Sequence, residues 1–314
     1  MNKPIEYWVA SGSAPGYLHS DRMINKQDAV RKTRFEGKIF GVVCDGCSQG
    51  KWSEIYANEL AQYILNQMLS LHMQKIPIDQ LPALLYPMIL DFLRTRILQM
   101  PFGDTYLAAV DNDKKSLIVF DRNHHQLDIM YDYVTSNMLA TIVAFCFDEK
   151  DGGIIFWRGD GIYTIGENVF PIENEVQVLG DDARVTTEFP IYIAYDLLPP
   201  STIKTKQGED VVMPEAGFSV AEVPAKTRFA ITSDAFTEDQ ILQLFGQFRP
   251  IRFRKFVAKM KAKGYPDDLQ LLWNQYDPIE VQTRINYFSS DREIEDDGAA
   301  VVVDPVELDL KRGG

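Results

Sequence analysis

The stretch richest in chemistry is Val43-Cys44-Asp45-Gly46-Cys47-Ser48-Gln49-Gly50-Lys51-Trp52-Ser53, and three chemistries compete for it. Gly46 through Lys51 approximates a phosphate-cradling loop. Such a loop needs four residues between its glycines and a Ser or Thr directly after the Lys. Here three residues separate Gly46 from Gly50 and Trp52 follows Lys51, so the loop is short and lacks its magnesium ligand. Cys44-Asp45-Gly46-Cys47 is also a C-x-x-C, a spacing shared by dithiol oxidoreductases and zinc sites. Zinc wants four ligands, and Cys146, His19, His72, His124 and His125 form no second pair at ligand spacing. A redox dithiol wants its first cysteine exposed at a helix start, whereas Cys44 closes an apolar strand and reads as a small buried residue. The third reading is Asp45-Gly46 itself. A carboxylate at the end of a buried strand is held rigidly, and glycine lets the backbone turn close to a ligand. Asp-Gly is first of all a turn dipeptide, so it gains meaning only if other carboxylates sit at comparable strand ends.

They do. Phe229-Ala230-Ile231-Thr232-Ser233 is an apolar strand that stops on Asp234. Asp296-Asp297-Gly298 opens another, Gly159-Asp160-Gly161 separates two more, and Gln27-Asp28-Ala29 follows a polar loop. Each has a plainer explanation: Asp160 as a hairpin turn residue, Asp234 as the cap of the following helix. Taken together, carboxylates at strand ends point to hard divalent cations bound through oxygen.

Such carboxylates need strands to carry them. Lys38–Cys44, short, apolar and bounded by glycine, reads as a buried strand. Residues 53–72 carry Ile55, Leu60, Tyr63, Ile64 and Met68 at helical spacing, and a second helix is expected over 78–99, with Pro82 in its first turn and Pro87 as a kink. Strands are then expected at Ser116–Asp121, 138–147, 154–157, Ile162–Ile165, 191–195, 228–233 and 299–303, with a helical stretch over 238–273. Strands in blocks rather than in alternation with helices argue for an α+β fold. No Pro-, Gly- or Ser-rich linker divides the chain, so one domain over 1–314 is expected, elaborated at about 103–136 and 245–290.

Composition narrows the class. Apolar residues make up 46% and charged residues 25% of 314, which is ordinary for a globular protein. A net charge of −13 makes nucleic acid and anionic membranes poor partners, because both carry the same sign. The apolar stretch 138–147 is about half the length of a spanning helix. Three cysteines cannot all pair, and no secretory signal is evident at the start, so a cytoplasmic protein with free thiols at Cys44 and Cys47 is expected.

The order of the motifs resembles the metal-dependent serine/threonine protein phosphatases of the 2C type, especially a divergent bacterial branch. The segments that carry it are Gln27-Asp28-Ala29, Val43-Cys44-Asp45-Gly46 with Ser53 downstream, Thr141 in an apolar strand, and Gly159-Asp160-Gly161 with Tyr163. Thr232-Ser233-Asp234 and Asp296-Asp297 complete the series, which spans about residues 10 to 304. The resemblance implies a four-layer α-β-β-α sandwich, two antiparallel sheets flanked by helices, with two Mn2+ or Mg2+ ions at one end. By motif matching, Asp45 would bridge the cations, the Gly46 carbonyl would ligate one, and Asp234 and Asp296 would ligate from other strands, with Asp297 the alternate. Asp28 would act through water and Asp160 would hold a weaker third ion. Catalysis would fall to Asp45 and Asp234 through a hydroxide bridging the ions. The substrate implied is phosphoserine or phosphothreonine in a phosphorylated protein.

The sequence also departs from that pattern. Cys47 stands where many members have His or Met after Asp-Gly, Gln27 replaces the usual acidic residue before Asp28, and Ala235 follows Asp234. Arg22 lies one residue further from Asp28 than the common phosphate-binding arginine, with His19 the substitute. The rival from another class is a non-catalytic phosphatase-like regulatory or binding module. Retention of all the expected aspartates argues against it.

Overall fold

The structure is a computed structural model that describes residues 5–16, 18–19, 27–47, 53–99, 106–111, 116–121, 134, 138–172, 174–178, 184–187, 190–198, 211–212, 215–245, 278–290 and 292–307. In chain order, strands β1 (Ile5–Ala14), β2 (Ala29–Phe35) and β3 (Lys38–Cys44) precede helices α1 (Ser53–Met73) and α2 (Leu81–Gln99). A hairpin, β4 (Tyr106–Asp111) and β5 (Ser116–Asp121), leads to β6 (Ile142–Asp148), β7 (Gly152–Arg158), β8 (Ile162–Ile165) and β9 (Asn168–Pro171). A small sheet follows, of β10 (Asn174–Val178), β11 (Arg184–Thr187) and β12 (Val211–Val212). Then come β13 (Ser219–Val223), β14 (Phe229–Thr232), α3 (Glu238–Leu244), α4 (Pro278–Ser290) and β15 (Gly298–Glu307).

Two five-stranded sheets dominate, ordered β1-β15-β14-β8-β9 and β13-β7-β6-β3-β2, and every pair in them is antiparallel. Period-two alternation explains how they stack. Ile39 and Val43 of β3, with Val143, Phe145 and Phe147 of β6, meet Phe229 and Ile231 of β14 and Val301 and Val303 of β15 between the sheets. The alternate residues Phe40, Val42, Cys44, Ala144 and Cys146 face outward onto α1 and α2. Ala230, Ala300 and Val302 face the other way, onto α3 and α4. The result is the α+β sandwich of four layers. Gly41 is needed at its centre, since a Cβ there would lie 2.2 Å from the Phe145 ring.

α1 buries Tyr56, Leu60, Ile64, Met68 and Leu71 as the helical spacing requires, whereas Ile55 is exposed. α2 begins after a 3-10 turn over Ile78–Gln80 and runs on through Pro87. One expected strand is not a strand. Residues 193–195 belong to a 3-10 turn, Ile193–Leu197, with 191–192 leading into it, and its apolar side chains pack under α2. Helix α3 ends at Leu244, and residues 246–273 of the expected helical stretch lie outside the described residues. Strands β1, β2, β4, β9, β10, β11, β12 and β13 and helix α4 were not foreseen from the sequence. Among the described residues no helix is long and apolar enough to cross a membrane.

Candidate metal centre

Register brings the aspartates together. In the β2–β3 hairpin Ala29 pairs with Cys44, so Asp28 and Asp45, the next residues outward, stand opposite each other at the hairpin's open end. The ladder continues past β3: Cys47 donates to the Leu139 carbonyl at 3.0 Å and Thr141 to that of Asp45 at 2.8 Å. Gly46, bridged to Ala140, keeps its own carbonyl out of that ladder. Nor could a larger residue sit there, because a Cβ on Gly46 would lie 2.9 Å from the Gln27 carbonyl and 3.0 Å from that of Ser53. Ser53, fully buried, ties the loop: it accepts from Gln27 Nε2 at 2.9 Å and donates to the Cys47 carbonyl at 2.8 Å.

Asp160 is not in a hairpin. β7 belongs to one sheet and β8 to the other, so Gly159-Asp160-Gly161 is the crossing between sheets. Both glycines have positive φ, 105° and 131°, and a Cβ on Gly159 would strike Thr141 at 2.7 Å. Asp234 does not cap the next helix either. Thr237 caps α3 in a reciprocal box with Gln240, so the Asp234 carboxylate is left for the cleft.

Carboxylate oxygens of Asp45, Asp160 and Asp234 all lie within 4.8 Å of one another. Burial, and then the charges of Asp28 and Asp234, hold the Asp45 carboxyl well above the usual carboxylate range. Burial likewise raises Asp28, only partly opposed by its contacts with Asp45 and Ser233. Asp160 is pushed up to about 7 by burial and by the charge of Asp234. Asp234 is raised by burial and by Asp296, although it stands exposed at the rim where solvent softens the effect. Asp28 is fully buried, with Asp45 and Ser233 beside it, and among the described residues neither of its oxygens meets a donor in full hydrogen-bond geometry. Like charges this close, with orphaned oxygens behind them, fit a hard divalent cation better than any partner among the described residues.

The last acidic pair divides. The side chain of Asp297 is 1% exposed, that of Asp296 53%. Asp297 accepts from the backbone N–H of Gly16 at 3.0 Å and from that of Gln27, so it fastens the chain on either side of residues 17–26. Asp296 Oδ1 accepts from the Asp297 N–H at 2.8 Å and its charge reaches Asp234. His19 sits between the two, Nδ1 2.9 Å from Asp297 Oδ1 and Nε2 3.5 Å from Asp296 Oδ1. Arg22 lies outside the described residues.

One group at the site was not singled out in the sequence. Tyr192, in the segment expected to be a strand, places its hydroxyl against the Cys47 thiol near Asp160 and Asp45. Burial, then Cys47, raises its pKa further, so it remains a neutral phenol. Arg158 is committed elsewhere: it holds Asp196 with both oxygens, at 3.0 and 2.9 Å, and the Glu215 carbonyl at 3.1 Å, while Tyr86 donates to the same carboxylate. That network joins β7, α2 and the 3-10 turn that carries Asp196. Cys44, Cys47 and Cys146 are all free, with Cys44 buried and its thiol driven up by burial, as a strand residue rather than a redox thiol would be.

No family model matches the chain, and no curated protein matches it in sequence. Solved structures do. The catalytic domain of the serine/threonine protein phosphatase PstP, in complex with two manganese ions, matches at 12% identity over 96% of this chain and 100% of that one, with a TM-score of 0.44. PppA, a key regulatory component of T6SS in Pseudomonas aeruginosa, matches at 14% identity over 96% and 98%, with a TM-score of 0.46. The PPM Ser-Thr phosphatase MsPP from Mycobacterium smegmatis, in complex with cacodylate, matches at 12% identity over 97% and 99%, with a TM-score of 0.45.

Proposed function

We propose that the protein hydrolyses phosphoserine and phosphothreonine in proteins, using manganese or magnesium held at the acidic end of the sandwich. The observation that carries this reading is the meeting of Asp45, Asp160 and Asp234 within 4.8 Å, backed by the orphaned carboxylate of Asp28. Asp45, Asp234 and Asp296, with the Gly46 carbonyl, would hold two cations, Asp160 a weaker third, and Asp28 would steady them through water. Cations bound there would acidify a water and neutralise the phosphoryl oxygens during in-line transfer.

The chain's own residues set the stage for that chemistry. Strand ends from both sheets fix the carboxylates, and Ser53, Gln27 and Asp297 lock the two loops that flank Asp28 and Gly46. Tyr192, kept neutral, offers a hydroxyl donor beside the cluster. Asp234 and Asp296 stand at the exposed rim, where a side chain on the surface of another protein can reach. The unpaired thiols support a reducing compartment such as the cytoplasm.

The test uses p-nitrophenyl phosphate and a phosphothreonine peptide, with manganese, magnesium or a chelator. Turnover is expected only with added cation, and Asp45→Asn is expected to lose about 100-fold or more, since it strips a charged ligand from the centre of the site. Turnover persisting in chelator would sink the reading. Normal cation binding without turnover on either substrate would instead assign a regulatory module.

A further inference from the structure

His19 is 7% exposed, yet its Nδ1 makes no well-aligned hydrogen bond. A structural histidine this buried ordinarily satisfies both ring nitrogens. Its surroundings are those of a ligand. Asp297, already anchored by two backbone N–H groups, stands 2.9 Å from Nδ1 but out of hydrogen-bond alignment, and the other ring nitrogen, Nε2, turns toward Asp296. The 3.5 Å between Nε2 and Asp296 Oδ1 is long for a hydrogen bond. It matches the span of about 3.4 Å between two ligands that each stand about 2.0–2.2 Å from one tetrahedral cation. Asp297 is buried and accepts from two backbone N–H groups, whereas Asp296 accepts from the Asp297 N–H and stands at the exposed rim, open to a cation.

We propose that His19 and Asp296 ligate one divalent cation together, so that this edge of the acidic cluster favours first-row transition cations over magnesium. The proposal rests on the reading of Asp296 as a cation ligand given above. Its physical basis is ligand softness. The Asp45, Asp160 and Asp234 cluster offers only oxygen and suits hard cations of any kind, whereas an imidazole nitrogen favours the borderline metals and disfavours magnesium. A position near the N-terminus, remote in sequence from the other acidic motifs, would thereby set which cation the protein prefers.

The experiment loads the full-length, metal-free protein with manganese and records pulsed electron paramagnetic resonance, where imidazole ligation appears as a nitrogen-14 coupling. Calorimetric titrations with cobalt and magnesium accompany it. The coupling is expected in the unaltered protein and absent from His19→Ala and His19→Gln, with cobalt affinity at one site falling about tenfold or more and magnesium affinity unchanged. Bound manganese without nitrogen coupling in the unaltered protein overturns the proposal, a result that needs no variant to fold. Coupling that survives both His19 changes overturns it as well. Nitrogen coupling lost on the His19 changes, in a protein without phosphatase turnover, upholds the ligand while removing the phosphatase reading.

Discussion

Asp296 and Asp297 are neighbours in the chain with opposite roles. One is exposed and shares its charge with Asp234; the other is sealed in and holds the N–H groups of Gly16 and Gln27. A pair of identical residues gave the sequence no means of telling them apart, because the partners of Asp297 are backbone atoms some 270 and 281 positions away. Asp45 was legible, since an apolar strand running into Asp-Gly fixes where its carboxylate must stand. Crowding among these acids has a thermodynamic signature. In chelator, Asp234→Asn relieves repulsion and is expected to raise the melting temperature by about 1–3 °C, a small rise because Asp234 is exposed; with manganese restored, the same change is expected to abolish most turnover. A chelated variant that melts lower than its parent would show that the carboxylates do not repel.

Away from the site, Asp148 provides a pH effect of known sign. Burial alone would raise its carboxyl, but the hydrogen bond from Lys38 at 2.9 Å and the N–H of Lys150 outweigh it, so its pKa lies below the usual value. A depressed carboxyl stabilises the folded state above its unfolded pKa of about 3.9, and that stability is lost as pH falls through the lower folded value. Lys38→Met is therefore expected to cost up to about 1 kcal/mol in urea unfolding at pH 7, and less as the pH falls below 4. A cost independent of pH would assign the effect to packing.

At the scale of elements, the close approach of Gly41 to Phe145 decides how β3 and β6 share the central sheet. The ring cannot swing aside, because Phe229 of the facing sheet stands edge-on to it with ring centroids 4.9 Å apart. Gly41→Ala is expected to cost about 1–3 kcal/mol in denaturant unfolding, and Phe145→Leu in the same chain to recover part of it. Strict additivity of the two changes would contradict the contact. Strong patterns made β3 readable, while β1 was hidden by its small and polar residues. Those residues have a cause: a Cβ on Gly12 would lie 2.7 Å from the Gln282 Cα, since α4 packs directly on this strand and Gln282 hydrogen-bonds Ser13 at both ends, at 3.0 and 2.8 Å. The error at residues 191–195 has a different origin. A short apolar run looks the same whether it lies in a sheet or coils beneath a helix, and only the tie from Asp196 to Arg158 and Tyr86 reveals which.

At the scale of the whole molecule, block order of strands and helices was enough to foresee an α+β fold, and the family resemblance implied the sandwich, but neither told which sheet each strand joins. The crossing at Gly159-Asp160-Gly161 is the clearest instance: in sequence it has every mark of a hairpin, and in space it carries the chain from one sheet to the other. Asp160 therefore sits at the seam. Asp28 and Asp45 approach it from one sheet, Asp234 and Asp296 from the other. Elsewhere the sandwich is closed by side chains such as Phe147 and Val303, but at this end by mutually repelling acids. The layers should accordingly breathe from the acidic end, opening like a book along its unbound edge. Cations would act as the clasp. Amide hydrogen exchange at Val43, Cys44, Ile231 and Thr232 is expected to be fast in chelator and to slow about 100-fold when manganese is present at 100 times its dissociation constant, while exchange at Ile39 and Phe229, at the opposite ends of the same strands, changes far less. Equal slowing along the whole of each strand would mean that the sheets part all at once.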